Sequence, residues 1–113
     1  MTPSYTYLAR LVRVIDGNTY VLDVDMGFHV HRHLTVRLQG VNAHEIGEPG
    51  GEMARRYAEA VLGNPHARIL VQSYKDRQSF ARWVCDVWVE GRPLADMLRE
   101  FNHVKAVRDV RVP

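Results

Sequence analysis

The feature that most constrains the fold is the alternation of apolar and polar residues between His29 and Gln39. Successive side chains of a β-strand point to opposite faces, so this pattern predicts a half-buried strand. The strand's backbone groups need partners, and the chain must therefore build a sheet around it. Its apolar face holds Val30, Leu34, Val36 and Leu38, and its polar face holds His29, His31, His33, Thr35 and Arg37.

Two earlier stretches have the same character. Tyr5–Ile15 and Thr19–Met26 are rich in β-branched and aromatic residues, which favour strands. Asp16–Asn18 between them contains glycine and two residues that favour turns, so the pair is expected to form a β-hairpin. Together with the strand at His29–Gln39, the hairpin predicts an antiparallel meander.

In the second half of the chain, some apolar residues have the spacing of a helix and others that of a strand. Apolar residues fall at helical spacing over Glu52–Leu62, and Gly63 follows as a natural end, which predicts an amphipathic helix. Ala67–Tyr74 and Arg82–Val89 predict two further strands. The polar residues Lys75–Ser79 between them predict a loop.

The last helix is expected to begin at Pro93 and to end near Asn102, and the charged tail Lys105–Pro113 is expected to be an edge strand or disordered. The order β-β-β-α-β-β-α predicts a mainly β, α+β domain, the OB fold, which is a five-stranded Greek-key barrel, here with two helices. An open α+β sheet is the alternative. Closure is favoured because short strands with glycine-marked bends otherwise leave unprotected edges.

Composition narrows the class of protein. The 113 residues predict a single domain, 1–113, with a core at about 5–107 and a short tail at 108–113. A net charge of +2 excludes a polycation that coats nucleic acid, and the single Cys85 excludes an internal disulfide. The N-terminus lacks signal-peptide features, and no apolar run has the length of a membrane helix. We therefore expect a monomer in the cytoplasm, of cellular or phage origin, with no membrane partner.

A candidate site lies around Gly40, where the chain can bend. Arg37 precedes this glycine and Glu45 follows it, so a guanidinium and a carboxylate can face one pocket from opposite sides. The arginine would neutralise a phosphate while the glutamate handles a proton or a water molecule. The alternative is an ordinary salt bridge at the end of a strand.

Three separated motifs resemble the staphylococcal-nuclease, or thermonuclease-like, family. Val14–Thr19 stands where that family has Ile-Asp-Gly-Asp-Thr, and Arg37–Glu45 where it has Arg-Leu-x-x-Val/Ile-Asp-Thr/Ala-Pro-Glu. Lys75–Trp83 stands where it has a stretch ending Asp-Lys-Tyr-Gly-Arg. The resemblance extends from Tyr7 to about Val107.

The resemblance implies a calcium-dependent phosphodiesterase that acts on DNA and RNA. Arg37 and Arg82 would hold the scissile phosphate and stabilise its developing charge, and Glu45 would position or deprotonate the attacking water. Positively charged and aromatic side chains within the last motif would contact the nucleic acid. These are Lys75, Arg77 and Phe80.

The departures from the family pattern concern the metal. Asn18 and Asn42 stand where the family has metal-binding aspartates, and Ala43 would contribute only its backbone carbonyl. Loss of two carboxylates should lower the affinity for Ca²⁺ steeply, so the calcium site is expected to be weakened or lost. Two functions follow. One is a nuclease with a weakened calcium site, and the other is a catalytically impaired, nuclease-derived module that binds nucleic acid, a nucleotide or a protein partner.

Other residues allow more than one interpretation. Of the histidines in His29–His33, two could share a metal ion, but a solvated strand face is the favoured interpretation. Trp83 and Trp88 lie on opposite faces of their strand and predict core packing, with a base-stacking surface as the alternative. Cys85 shares a face with apolar neighbours and is expected to be a buried structural thiol.

Overall fold

The computed structural model describes residues 3–79 and 82–101, with only the backbone of residues 75–79. Among these residues, no helix is both long enough and apolar enough to cross a membrane. The elements follow the predicted order, with one short extra strand before the last helix. They are β1 (Thr6–Asp16), β2 (Thr19–Asp25), β3 (His31–Leu38), α1 (Gly51–Leu62), β4 (Ile69–Ser79), β5 (Arg82–Val89), β6 (Arg92–Pro93) and α2 (Leu94–Glu100).

The sheet closes into a barrel. β1 pairs antiparallel with both β2 and β4, while β2 also pairs with β3 and β4 with β5. A parallel pairing of β3 with β5, which runs from Val36 opposite Trp83 to Leu38 opposite Cys85, joins the two ends of the sheet. The prediction of a mainly β, OB-like five-stranded barrel with two helices is therefore confirmed, and the open-sheet alternative is wrong.

The core lies inside this barrel and under both helices. The strands contribute residues that are at most 2% exposed, for example Leu22, Val36 and Val87. Leu62 from α1 and Leu94 from α2 complete the packing. The period-two pattern places one face of each strand inward, so the alternation seen in the sequence becomes the interior of the barrel.

The prediction of a loop at Lys75–Ser79 is wrong. β4 continues to Ser79, and Gln78 and Ser79 pair with Trp83 and Arg82 of β5, after a register irregularity that begins at Ser73. The residues form a strand despite their polarity because the pairing is made by backbone groups, which a long hairpin can satisfy with polar side chains on both faces.

The start of the second helix also differs slightly from the prediction. Pro93 has φ −61° and ψ 125°, which is extended, and it pairs with Trp88 in β6. The helix begins at Leu94 because the fixed φ of proline suits an extended residue as well as a helical one. The predicted tail 105–113 lies outside the described residues.

The turn between β1 and β2 is packed tightly against the rest of the molecule. A Cβ atom at Gly17 would lie 2.8 Å from the Cβ of Ala43 and 2.9 Å from the Cβ of Ala54 on α1. The buried Tyr20 hydroxyl donates a hydrogen bond to the Gly17 carbonyl oxygen at 2.6 Å. The turn is therefore held in a fixed position beside α1.

We expect Gly17→Ala to lower the free energy of unfolding by about 2 kcal/mol, because the added methyl overlaps two other methyl groups in packed surroundings. Urea denaturation measures the loss. Gly47→Ala is the control, since a Cβ there meets nothing within 4 Å although φ is 96°. It isolates the cost of the left-handed backbone, about 1 kcal/mol. An equal loss in both variants would contradict the proposed close packing.

Candidate functional site

The carbonyl oxygen of Val41 joins two parts of the candidate site. Arg37, near the end of β3, donates to it from Nη2 at 3.4 Å. The side chain of Asn18, in the β1–β2 turn, donates to the same oxygen from Nδ2 at 2.8 Å. Asn18 is only 5% exposed, so this bond is made away from water. The turn and the loop after β3 are thereby tied together.

Arg82 reaches the same network through Thr19. Its Nη1 donates to Thr19 Oγ1 at 3.5 Å, and that hydroxyl donates to Asn18 Oδ1 at 3.3 Å. Thr19 is also the cross-strand partner of Arg37. A continuous series of hydrogen bonds therefore links the two arginines that the sequence predicted to share a phosphate.

Asp16 stands at the centre of the charges. Its pKa is raised, first by burial and second by the neighbouring carboxylate of Glu45, while Arg82 and Arg37 act in the opposite direction. These four groups therefore share one electrostatic environment, although they come from β1, β3, β5 and the loop before α1. All three predicted catalytic residues, Arg37, Glu45 and Arg82, therefore act electrostatically on Asp16.

Two polar atoms in this site lack a hydrogen-bond partner among the described residues. They are Asp16 Oδ1 and Arg37 Nε, and both are buried. Buried polar atoms are nearly always satisfied, so an unsatisfied acceptor and an unsatisfied donor in one site indicate a place that a ligand or an ordered water occupies.

A compact loop presents Glu45 to solvent. The Glu45 backbone N–H donates to Glu48 Oε1 at 2.9 Å, and the Glu48 N–H donates back to the Glu45 carbonyl oxygen at 2.9 Å. Gly51 begins α1 directly against this carbonyl, since a Cβ there would lie 1.8 Å from the Glu45 oxygen. The loop conformation thus depends on Gly51 and on the Glu48 side chain.

The predicted metal ligands lie close to Val41. Asn42 follows it in the chain and is exposed, and Ala43 is 1% exposed. The amide nitrogen of Asn18 is engaged with Val41, which leaves its Oδ1 as the atom able to face a cation. Among the described residues, no group of three or more His, Cys, Asp or Glu is arranged to hold a metal ion. The calcium site remains a prediction.

The three residues predicted to contact nucleic acid have no described side chains. Lys75 and Arg77 lie on β4, where the structure describes only the backbone, and Phe80 is outside the described residues. On the other side of the barrel, His31 Nδ1 lies 3.4 Å from Asp23 Oδ1. Burial raises the pKa of the Cys85 thiol to about 12, as expected of a structural cysteine.

Asp16 was predicted only as a turn residue. Its role becomes evident only from the structure, where it is the last residue of β1 and lies directly opposite Thr19. This strand end lies next to a predicted phosphate-binding arginine. Burying a carboxylate there costs free energy, which indicates a function for Asp16.

Comparison with protein-family models finds no match to the chain, and comparison with curated proteins finds none either.

We expect Asn18→Asp to lower the free energy of unfolding, because a carboxylate cannot donate to the buried Val41 oxygen and would oppose it. Attraction to Arg82 offsets part of the loss, so the net change should be about 1 kcal/mol. Urea denaturation provides the measurement. Asn42→Asp is the matched control, since this exposed asparagine should tolerate the change within about 0.5 kcal/mol. Equal stability of the two variants would contradict a structural role for the Asn18 amide.

The raised pKa of Asp16 predicts a dependence of stability on pH. The folded state holds the Asp16 proton more tightly than the unfolded state, whose ordinary pKa is 3.8. The resulting stability is present below that value and is lost as the pH rises through the folded pKa. Asp16→Asn cannot ionise, so its free energy of unfolding should rise relative to wild type as the pH increases from below 3.8 through the folded pKa of Asp16. A difference that stays constant with pH would contradict this assignment.

Proposed function

We propose that this domain acts on nucleic acids as a thermonuclease-like phosphodiesterase that hydrolyses DNA or RNA with a weakened calcium requirement. The observation that supports it is that Arg37 and Arg82, from separate strands, join one hydrogen-bond network through Val41 and Thr19, and that both act with Glu45 on the charge of Asp16. Hydrolysis of a phosphodiester needs positive charge at the phosphate oxygens and a group that handles the attacking water. The cluster contains both.

The two arginines would bind the scissile phosphate. Guanidinium groups match the geometry of phosphate oxygens and remain charged at every relevant pH. The buried Nε of Arg37, without a partner among the described residues, would gain an acceptor when a phosphate oxygen enters. The hydrogen bonds to Val41 and Thr19 would fix both guanidinium groups before the substrate arrives. Such preorganisation is what lowers the barrier to charge development.

Glu45 would accept a proton from the attacking water. As the new P–O bond forms, the bond to the leaving ester oxygen breaks, and that oxygen takes a proton from solvent. The exposed carboxylate can hold a water molecule without displacing the loop, which is anchored by Glu48. This arrangement is a general base beside an electrostatic clamp.

A divalent cation would fit the carboxylate oxygens of Asp16 and Glu45 with the side-chain oxygens of Asn18 and Asn42. The unpaired buried Oδ1 of Asp16 supports a cation here. Two carboxylates and neutral amides form a thin anionic shell, which fits a weakly bound ion better than a resident calcium. When bound, the ion would supply additional neutralisation of the phosphate charge.

A binding module without turnover is the second candidate. The observation that favours it is the bond from Asn18 Nδ2 to Val41, which uses the amide as a structural donor. A residue that holds the loop in place in this way supports phosphate binding whether or not a metal is present. The ligand would then be a nucleic acid, a nucleotide or a phosphorylated partner.

Cleavage of a fluorescent single-stranded DNA, with Ca²⁺, with Mg²⁺ and with chelator, tests the proposal. Arg37→Ala and Glu45→Gln should each reduce the rate by about 100-fold. Arg55→Ala is the matched control, because this arginine pairs with Glu52 and Glu59 on α1 and should leave the rate unchanged.

Calorimetry with a nucleoside bisphosphate separates the two candidates. Metal-dependent cleavage that is lost in Arg37→Ala supports the enzyme. Nucleotide binding that is weakened by Arg37→Ala, without cleavage under any condition, supports the binding module. Binding and cleavage that are both indifferent to Arg37 would overturn the assignment of this site.

A further inference from the structure

A cavity separate from the arginine cluster opens at the mouth of the barrel. Its volume is about 230 Å³, and residues from each of the five barrel strands line it. Val36 and Cys85 form a buried floor, while the partly buried Tyr7 and Trp83 form aromatic walls. Arg32 stands at the rim and is exposed. Mouths of β-barrels are common ligand sites because the converging strands leave a concave apolar surface.

The lining of the mouth favours a flat, anionic ligand. Trp83 and Tyr7 offer ring surfaces for stacking, and Arg32 supplies a positive charge. Among the side chains that the structure describes, no carboxylate lines this cavity. A larger concavity of about 680 Å³ beside the end of α1 is different: Asp23 and Asp25 offset the charges of Arg10 and Arg68 there, and no Phe, Tyr or Trp among the described residues lines it. The mouth is therefore the better place for a nucleotide.

The β2–β3 hairpin extends from the rim of the same mouth. Met26 and Arg32, one on each side of the hairpin, both line the cavity. Gly27, Phe28 and His29 at its tip all have left-handed backbones, with φ of 81°, 55° and 61°. The tip displays the side chain of Phe28, which is 99% exposed. Non-glycine residues avoid this conformation, and strained residues often occur at sites that contact ligands.

We propose that the barrel mouth and the tip of the β2–β3 hairpin together bind single-stranded nucleic acid. One base stacks in the mouth on Trp83, another stacks on Phe28, and Arg32 contacts the phosphate between them. Stacking platforms combined with positive charges are the usual means of holding single strands without sequence preference. This inference rests on the proposed action on nucleic acids.

The spacing of the two sites fits one extended strand. Thr19 begins β2 beside the arginine cluster, and Asp25 ends it next to the hairpin tip. A strand rises about 3.3 Å per residue, so the hairpin tip lies about 20 Å from the phosphate site. A nucleic acid of several nucleotides can reach both places, whereas a dinucleotide cannot. The length of the substrate therefore separates the two sites experimentally.

Fluorescence anisotropy with a labelled oligothymidylate of about twelve nucleotides tests this inference. Phe28→Ala and Arg32→Gln should each weaken binding of this oligonucleotide about tenfold, since one stacking or phosphate contact is lost. Binding and cleavage of a dinucleotide should stay as in wild type. Met53→Ala is the matched control, because this methionine on α1 is 62% exposed and remote from the mouth.

The outcomes distinguish this inference from the proposed function. Loss of oligonucleotide binding in the Phe28 and Arg32 variants supports the mouth site, even if no cleavage occurs and Arg37→Ala has no effect. Binding that depends on Arg37 but not on Phe28 or Arg32 overturns the mouth site and leaves the phosphate site intact. Absence of oligonucleotide binding overturns it as well. One further result would overturn the mouth site. If Phe28→Ala weakens binding to phosphatidylserine vesicles but leaves the affinity for the oligonucleotide unchanged, the tip is a membrane contact.

Discussion

The hydrogen bond from the Asn18 amide to the Val41 carbonyl is the interaction on which the candidate site depends. It is buried, and it joins the turn after β1 to the loop after β3. Arg37 shares the same acceptor, and Thr19 extends the network to Arg82. A buried polar network is favourable only when its members are satisfied together. The positions of both arginines therefore depend on one asparagine, although its side chain contacts neither guanidinium group.

Barrel closure supplies the second constraint. Arg37 is on β3 and Arg82 on β5, and only the parallel pairing between these strands brings the two residues to one side of the molecule. Gly17 contributes by letting the β1–β2 turn approach α1, which places Asp16 beside the same arginines. Closure and close packing thus determine the charge arrangement. A looser sheet with the same sequence motifs would separate the charges and lose their mutual effect on the pKa of Asp16.

Much of the fold could be predicted from the sequence because alternation and helical spacing are local signals. β5 begins and ends at the predicted residues, and α1 differs by one residue at its start. Lys75–Ser79 could not be predicted, since its strand forms through pairing with β5 while its polarity favours a loop. The roles of Asp16 and the Asn18 amide were also inaccessible. Both depend on partners distant in sequence, and a residue type alone does not identify its hydrogen-bond acceptor.

The neutral amides of Asn18 and Asn42 have a consequence for the order in which a phosphate and a metal ion would bind. A site with several carboxylates repels a phosphate until a cation neutralises them. In this protein, Asn18 and Asn42 carry no charge, so the two arginines oppose only Asp16 and Glu45. Under the proposed function, the cluster would accept a phosphate before any metal binds, and a cation would strengthen binding of the ligand without being required for it.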